Sequence, residues 1–447
     1  MRLLLLSLLL CCFATPRSAG QQMSRRAVAR ALDHRIAQNE TFATGHTGFA
    51  LYDLDAERSL YGYQADRYFV PASNTKLLTF LLANRVLAAG APAVFYRDSA
   101  GYTDLWGSGY PLLLHPAFAD YDVLHPWLAR RAKPLVLHYP ADEAVPRYGA
   151  GWSWDDYDYG YVFERTALPV YGNRLYLDYR ETSPGKQVLY GSPAGVVEDL
   201  TEVSDQQRLI SRAEGSNRFT VRPQFSRPQN FPLERSLTMD STSTLRFLRE
   251  GLPGSTVTSG TLARPPRDRL DTVRAFIPDT VYQTLLQDSD NYLAEQLLLL
   301  TAATRYGRPD GERILDWATD TLFRELDLGE ISYRDGSGLT RYNLISPEQL
   351  AEVVAALDRE VGRERLRRLL PAGGVNGTLK TRFDNRRTTY VWAKTGSLTG
   401  VIAVSGLLRT ARGRWLGFSF VHNNVVASSR DYYREMEAIL GWIHDQL

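Results

Sequence analysis

Ser73 and Lys76 stand three positions apart in Pro71-Ala72-Ser73-Asn74-Thr75-Lys76, and the pair could carry acyl-transfer chemistry. On a helix this spacing puts a hydroxyl and an amine on one face of one turn, within hydrogen-bonding reach. A serine hydroxyl is a weak nucleophile until a neighbouring base takes its proton, and a lysine amine is such a base when its surroundings disfavour the ammonium form. Lysine is scarce in this chain: Lys76, Lys133, Lys186, Lys380 and Lys394 stand among 52 basic residues, the rest being arginine. Arginine does not give up its proton in practice, so a chemical role is one reason to retain a lysine. Taken alone, the pair fits the exposed start of a helix equally well.

Two later groups have complementary chemistry. Ser289-Asp290-Asn291 opens a predicted helix with a hydroxyl and an amide, a pattern that is also an ordinary N-cap. Lys394-Thr395-Gly396 closes an apolar, β-branched run and precedes Ser397. A strand edge of that composition offers backbone N–H groups, a positive charge and hydroxyls to an extended anionic substrate. Each group is ambiguous by itself. Together, in the order SxxK, SxN, KTG, they match the joint signature of active-serine β-lactamases and penicillin-binding proteins. The long gap between Ser73 and Ser289 does not fit a minimal β-lactamase, and no deacylation signature for fast penicilloyl hydrolysis is identifiable.

The elements that must position these groups can be read from periodicity. Gly48 to Tyr61 predicts a hairpin, and Ser73 opens a helix whose Leu77, Leu78, Phe80, Leu81, Leu82, Val86 and Leu87 leave little polar circumference, as in a buried helix. From about residue 90 to residue 265 the texture changes to short β-like runs broken by Gly, Pro and Asp, with no internal repeat. Helical periodicity returns in Asn291 to Ala303, Gly311 to Leu326 and Pro347 to Leu370. Thr388 to Ala393, Val401 to Arg409 and Arg414 to His422 predict three strands, and Arg430 to Gln446 a closing amphipathic helix. The sum is an α/β (α+β) domain, an antiparallel sheet covered by helices, interrupted by a β-rich insert. Its two segments are 23–88 and 266–447, and the insert is 89–265.

Composition narrows the function classes. With 447 residues, 44% hydrophobic and 23% charged, the chain is an ordinary globular protein with room for several domains. A net charge of +2 gives no nucleic-acid footprint and no polybasic membrane anchor. An apolar run from Leu3 to Ala14, followed by Ser18, Ala19 and Gly20, predicts a signal peptide over residues 1–20 rather than a buried helix. Cys11 and Cys12 lie within it, so the mature chain has no thiol or disulfide, and Leu10 is bulky for a lipid-anchor site. The seven histidines form no HExxH motif and no i,i+4 pair, so neither a metal nor a cofactor is expected. Trp152 and Trp154 could stack on sugar rings, although aromatics alternating on a strand more often pack a core.

On its motifs the chain resembles the class C low-molecular-mass penicillin-binding proteins, the D-alanyl-D-alanine carboxypeptidase/endopeptidase family. The likeness rests on Pro71 to Leu77, Gly151-Trp152-Ser153-Trp154-Asp155-Asp156, Ser289 to Glu295, Asp335 to Arg341, Gly374 to Leu379 and Ala393 to Gly400. It implies a transpeptidase-like domain with a five-stranded antiparallel sheet, and periplasmic or cell-surface action on peptidoglycan stem peptides with β-lactams as covalent inhibitors. It also implies that Ser73 attacks the carbonyl of the penultimate D-Ala, Lys76 takes its proton, and Ser289, tuned by Lys394, relays a proton to the leaving amine. Asn291 then orients the substrate amide and Lys76. Thr395 with Lys394 holds the terminal carboxylate, and the N–H groups of Ser73 and Ser397, across Gly396, form an oxyanion hole. The insert is shorter than the family's, so the family's third, small domain is expected to be reduced or absent. The rival implied functions are a non-catalytic protein that binds D-Ala peptides or β-lactams at the wall, and a β-lactamase. The Asp335 to Arg341 turn is a second-tier candidate for the cleft border.

Overall fold

The computed structural model describes residues 23–184, 186–222 and 232–447, and the signal peptide expected over residues 1–20 lies outside them. A five-stranded antiparallel sheet organises one side of the molecule, in the order Val391–Leu398, Val401–Arg409, Trp415–Asn423, His46–Asp53, Arg58–Tyr63. The first strand of the chain pairs along its length with the last, from His46 opposite Asn423 to Asp53 opposite Leu416. One face buries Phe49, Val404, Phe418 and Phe420 against helices Arg25–Ala37 and Ser429–Gln446, through Leu32, Ile36, Met436 and Leu440. The opposite face supports helices Pro347–Val361 and Thr75–Leu87. With both faces covered, Val401–Arg409 is buried at every position but the last, so it reads as an unbroken apolar run instead of an alternating one.

Helix Thr75–Leu87 is central, with ten of its residues buried, and it packs on helix Asn291–Tyr306. The latter ends at Gly307, whose φ of +78° is the left-handed conformation that terminates helices cheaply only when glycine supplies it. The single helix expected from Pro347 to Leu370 is two, Pro347–Val361 and Arg363–Leu369, because Gly362 at φ +82° breaks the run. The stretch from Gly311 to Leu326 likewise divides into Gly311–Trp317, a π-helical turn Ala318–Leu322 and Phe323–Glu325. The strand expected over Thr388 to Ala393 starts at Val391 and continues to Leu398, so Lys394, Thr395, Gly396 and Ser397 are part of the strand rather than its continuation.

The inserted region contains a second five-stranded sheet, ordered Val257–Gly260, Leu135–His138, Thr103–Gly107, Ala91–Asp98, Asp271–Ala275. Its last edge strand comes from beyond residue 265, so the sheet borrows a strand from the segment expected to return to the catalytic domain. Two three-stranded sheets follow, one of them built on Arg174–Ser183. The aromatic segment around Trp152 is not a strand. Gly151 (φ +76°) and the paired acids Asp155 and Asp156 favour turns, and Trp154 opens a short 3-10 helix with 78% of its surface exposed, which overturns the core-packing reading for that residue.

The β-rich region and the first five-stranded sheet's helices are fastened along helix Asn291–Tyr306. Gln296 accepts from Thr166 N (3.1 Å) and donates to Thr166 O (2.9 Å), and Tyr292 donates to Pro111 O at 2.7 Å. Arg174, with a 5% exposed side chain, reaches Glu234 at 2.7 Å and Asp290 at 2.9 Å. Breaking such a buried pair strands a carboxylate and costs about 3–5 kcal/mol. We therefore expect Arg174→Ala to lower the thermal midpoint measured by calorimetry by several degrees, and an unchanged midpoint would show that the seam carries no stability.

Candidate active site

The backbone before Ser73 is bent into an uncommon shape. Ala72 sits at φ +47°, in the left-handed region that residues with a Cβ rarely occupy, and opens a 3-10 turn Ala72–Asn74 that feeds helix Thr75–Leu87. Two glycines make room for it. A Cβ on Gly338 would fall on the Ala72 carbonyl and come within 3.0 Å of Ser73 N, while one on Gly396 would meet the Pro71 carbonyl at 2.6 Å and Ala72 Cβ at 3.2 Å. The strand carrying Lys394 and the turn Asp335–Gly338 thus press on the backbone at Ala72 and Ser73 from two sides. Asn74 fixes the turn from beneath, donating to Ser405 Oγ at 2.9 Å.

Lys76 has no exposed surface, and its Nζ meets three acceptors: Ser73 Oγ at 3.0 Å, Asn291 Oδ1 at 2.6 Å and the Ser337 carbonyl at 2.6 Å. Burial disfavours its ammonium form and pulls the amine down to about 8, a fall that the carboxylates of Asp335, Asp290 and Glu295 partly offset. Asn291 is oriented from the insert, its Nδ2 donating to the Tyr161 carbonyl at 2.7 Å.

Lys394, equally buried, donates to Ser289 Oγ at 2.9 Å and to the Thr395 carbonyl at 2.7 Å. Burial and then the nearby Lys76 hold it well below its ordinary value, with Asp288 opposing. Ser289, like Ala72, is left-handed, at φ +61°. Thr395 Oγ1 donates to Thr378 Oγ1 at 2.8 Å. The strand Val391–Leu398 lies at the edge of its sheet, and its first half is covered by Pro371–Gly373: Ala393 N donates to Pro371 O, and Gly373 N to Val391 O. Ser397, beyond this cover, is exposed.

The structure therefore gathers Ser73, Lys76, Ser289, Asn291, Lys394 and Thr395 in one contiguous cluster, with Gly396 and Ser397 on the adjoining edge. Reading residue types missed the Ser337 carbonyl, because a main-chain acceptor carries no side-chain signature. The turn that presents it is nevertheless rich in signal. Asp335, fully buried, accepts from Gly338 N (2.8 Å), Thr340 N (2.8 Å), Asn343 Nδ2 (2.6 Å) and Trp152 Nε1 (2.9 Å). Trp152 is in this way a brace for the Asp335 turn. Glu295 was also missed, and its signal is a buried carboxylate four residues after Asn291, the one acidic residue within that helix. A cavity of about 610 Å³ adjoins Ser289 and Asn291, walled by Tyr161, Tyr176, Glu234 and Asp288.

A buried lysine against a serine hydroxyl, faced by a second serine–lysine pair and an open strand edge, has the parts that acyl transfer through a serine requires, and the fold that holds it is of the penicillin-binding, transpeptidase-like type. The chain belongs to the D-Ala-D-Ala carboxypeptidase 3 (S13) family, whose model matches residues 28–91 and 142–446. It is 30% identical over 147 residues to the D-alanyl-D-alanine carboxypeptidase DacB of Haemophilus influenzae, an alignment that spans 32% of this chain and 30% of that protein. A D-alanyl-D-alanine carboxypeptidase of Actinomadura sp. aligns more widely, 25% identical over 92% of this chain and 84% of its own. In fold, the chain is similar to the crystal structure of penicillin binding protein 4 (dacB) from Haemophilus influenzae, with a TM-score of 0.71, 18% identity, and coverage of 93% and 99% of the two chains.

The close approach at Gly338 generates a test. Gly338→Ala places a methyl against the Ala72 carbonyl, so it should leave the fold intact by circular dichroism yet slow covalent labelling of Ser73 by an acylating reagent at least about tenfold. Labelling at the wild-type rate would mean that the Ala72 turn does not need this glycine.

Proposed function

We propose that the protein is an exported serine DD-peptidase that cleaves D-alanyl peptide bonds in peptidoglycan stem peptides, releasing terminal D-Ala and also cutting D-alanyl cross-links. One observation carries this reading: Lys76 Nζ lies between two fixed acceptors and Ser73. As a neutral amine it has two N–H donors and one lone pair. Asn291 Oδ1 and the Ser337 carbonyl take the two donors, which leaves the lone pair facing the Ser73 hydroxyl.

Ser73 Oγ then attacks the carbonyl carbon of the penultimate D-Ala while its proton passes to Lys76. The N–H groups of Ser73 and Ser397 receive the oxyanion, consistent with the tight contact of Gly396 against Pro71 and Ala72. The C–N bond breaks as Ser289, hydrogen-bonded to Lys394, passes a proton to the leaving amine, and water later hydrolyses the Ser73 ester. Two buried amines cannot both hold full charge in so small a volume. The terminal carboxylate of the substrate, seated between Thr395 and Lys394, supplies the compensating charge that restores the Lys394 ammonium. A peptide ending in an amide lacks that charge and is a poorer substrate. The leader over residues 1–20 directs the chain to the periplasm or cell surface, where this polymer lies.

Incubation with benzylpenicillin followed by mass spectrometry of digested protein should find a stoichiometric penicilloyl adduct on Ser73, and none in Ser73→Ala. Unmodified protein beside intact penicillin would overturn the active-serine reading, whereas hydrolysed penicillin without an adduct would make the protein a β-lactamase. The acylation rate should also depend on pH with a definite sign. The reactive form is neutral Lys76, so the rate climbs with pH below the value of about 8 and levels off above it. Stopped-flow acylation that slows with rising pH over that range would exclude Lys76 as the base.

A further inference from the structure

The contacts behind Lys76 point to a further participant. Glu295 lies one turn beyond Asn291 on the same helix face, with its side chain only 2% exposed. Its Oε1 accepts from Ser337 N at 2.7 Å, and the carbonyl of that same residue accepts from Lys76 Nζ at 2.6 Å. The turn is pinned on its other side by Thr79, whose hydroxyl donates to Gly336 O at 2.6 Å. Glu295 Oε2 has no hydrogen-bond partner among the described residues and faces Arg165 of the insert at 3.6 Å. Arg165 is itself held by the carbonyls of Pro146 (3.0 Å) and Tyr148 (2.8 Å). A continuous set of contacts thus runs from the insert through Arg165, Glu295 and the Ser337 residue to Lys76 and Ser73.

We propose that Glu295 is a positioning residue for Ser73 acylation, which fixes the Ser337 carbonyl that anchors Lys76 and adjusts, through its own charge, the readiness of Lys76 to accept a proton. The proposal rests on Lys76 being the base toward Ser73. The ionisable groups acting on Glu295 and its neighbourhood are Asp335, Arg165, Lys76 and Tyr333. Burial and then Asp335 push the Glu295 carboxyl up to about 7, against the pull of Arg165 and the Ser337 N–H. It therefore changes charge close to the range in which Lys76 does. A protonated Glu295 releases Lys76 to the neutral form, and an ionised one favours the ammonium. The pair broadens the pH range over which some fraction of the enzyme holds a reactive amine.

The test is the second-order rate of Ser73 acylation by benzylpenicillin in the full mature protein, followed from about pH 5.5 to about pH 9.5. Glu295→Gln keeps an oxygen that can accept from Ser337 N but removes the charge. Because the wild-type carboxyl is already largely protonated well below about 7, the two profiles should meet at the acid end, while between about pH 7 and about pH 8 the variant acylates about two- to fivefold faster than wild type. Glu295→Ala loses the acceptor as well and should be slower across the whole range. An E295Q profile that superimposes on wild type, or one lowered uniformly with its limb unmoved, reduces Glu295 to a packing residue and overturns the proposal. Should E295Q fail to fold by circular dichroism, Arg165→Gln makes the same test, since without the guanidinium Glu295 keeps its proton to higher pH and the rate between about pH 7 and about pH 8 again rises. A wild-type enzyme that is not acylated at all overturns the acyl-enzyme reading itself, an outcome distinct from an unshifted E295Q.

Discussion

An amine sealed from water among three acceptors is the constraint on which this structure turns. Lys76 can stay buried only if each of its protons has somewhere to go, and the acceptors come from three distant parts of the chain: Ser73, the head of helix Asn291–Tyr306, and the turn after Asp335. Each must hold its place to a fraction of an ångström, which explains why the surroundings are so heavily tied. Asp335 gathers five donors, Asn291 is held by the Tyr161 carbonyl, and two glycines let the backbone close on Ala72. The left-handed conformations of Ala72 and Ser289 are costs that only a rigid frame sustains.

The second lysine makes the frame electrostatic as well as steric. Lys76 adds to the effect of burial in holding Lys394 down, with Asp288 opposing, while Asp290, Asp335 and Glu295 offset the burial of Lys76. Asp290 shows how finely such charges are held. Burial pushes its carboxyl up, yet Arg174 and the Leu293 N–H outweigh that and keep it below its ordinary value. One carboxylate thereby caps a helix, ties down the insert and contributes to the field at Lys76.

The sequence announced the side-chain half of this arrangement. Ser73, Lys76, Ser289, Asn291 and Lys394 sit at spacings that a helix turn or a strand edge translates directly into geometry, and the sheet strands read as apolar runs because both faces are covered. What stayed illegible was main-chain: the Ser337 and Tyr161 carbonyls have no residue type to betray them. Glycine positions were visible but not their purpose, since only the fold shows what a Cβ at Gly338 would strike. The Trp152 segment misled because alternating aromatics imitate a strand, whereas the Gly151 turn and the acids after Trp154 direct it to a surface turn in which one indole braces Asp335 and the other faces solvent. The division at Gly362 was equally hidden, as helical periodicity continues in phase across it.

The pairing of the first strand with the last has a consequence for how the molecule comes into being. His46–Asp53 emerges early from the ribosome but finds its partner Trp415–Asn423 only when almost the whole chain has been made. The Ser73 helix must likewise wait for Asn291, Ser337 and Lys394, while the inserted sheet has most of its strands at hand much sooner. Pairings so far apart in sequence form slowly, and until they do the apolar faces of the early hairpin and helix lie open. Assembly is therefore expected to begin in the insert, with the cluster around Lys76 the last thing to exist, so a chain cut short before Lys394 carries Ser73 but not its surroundings.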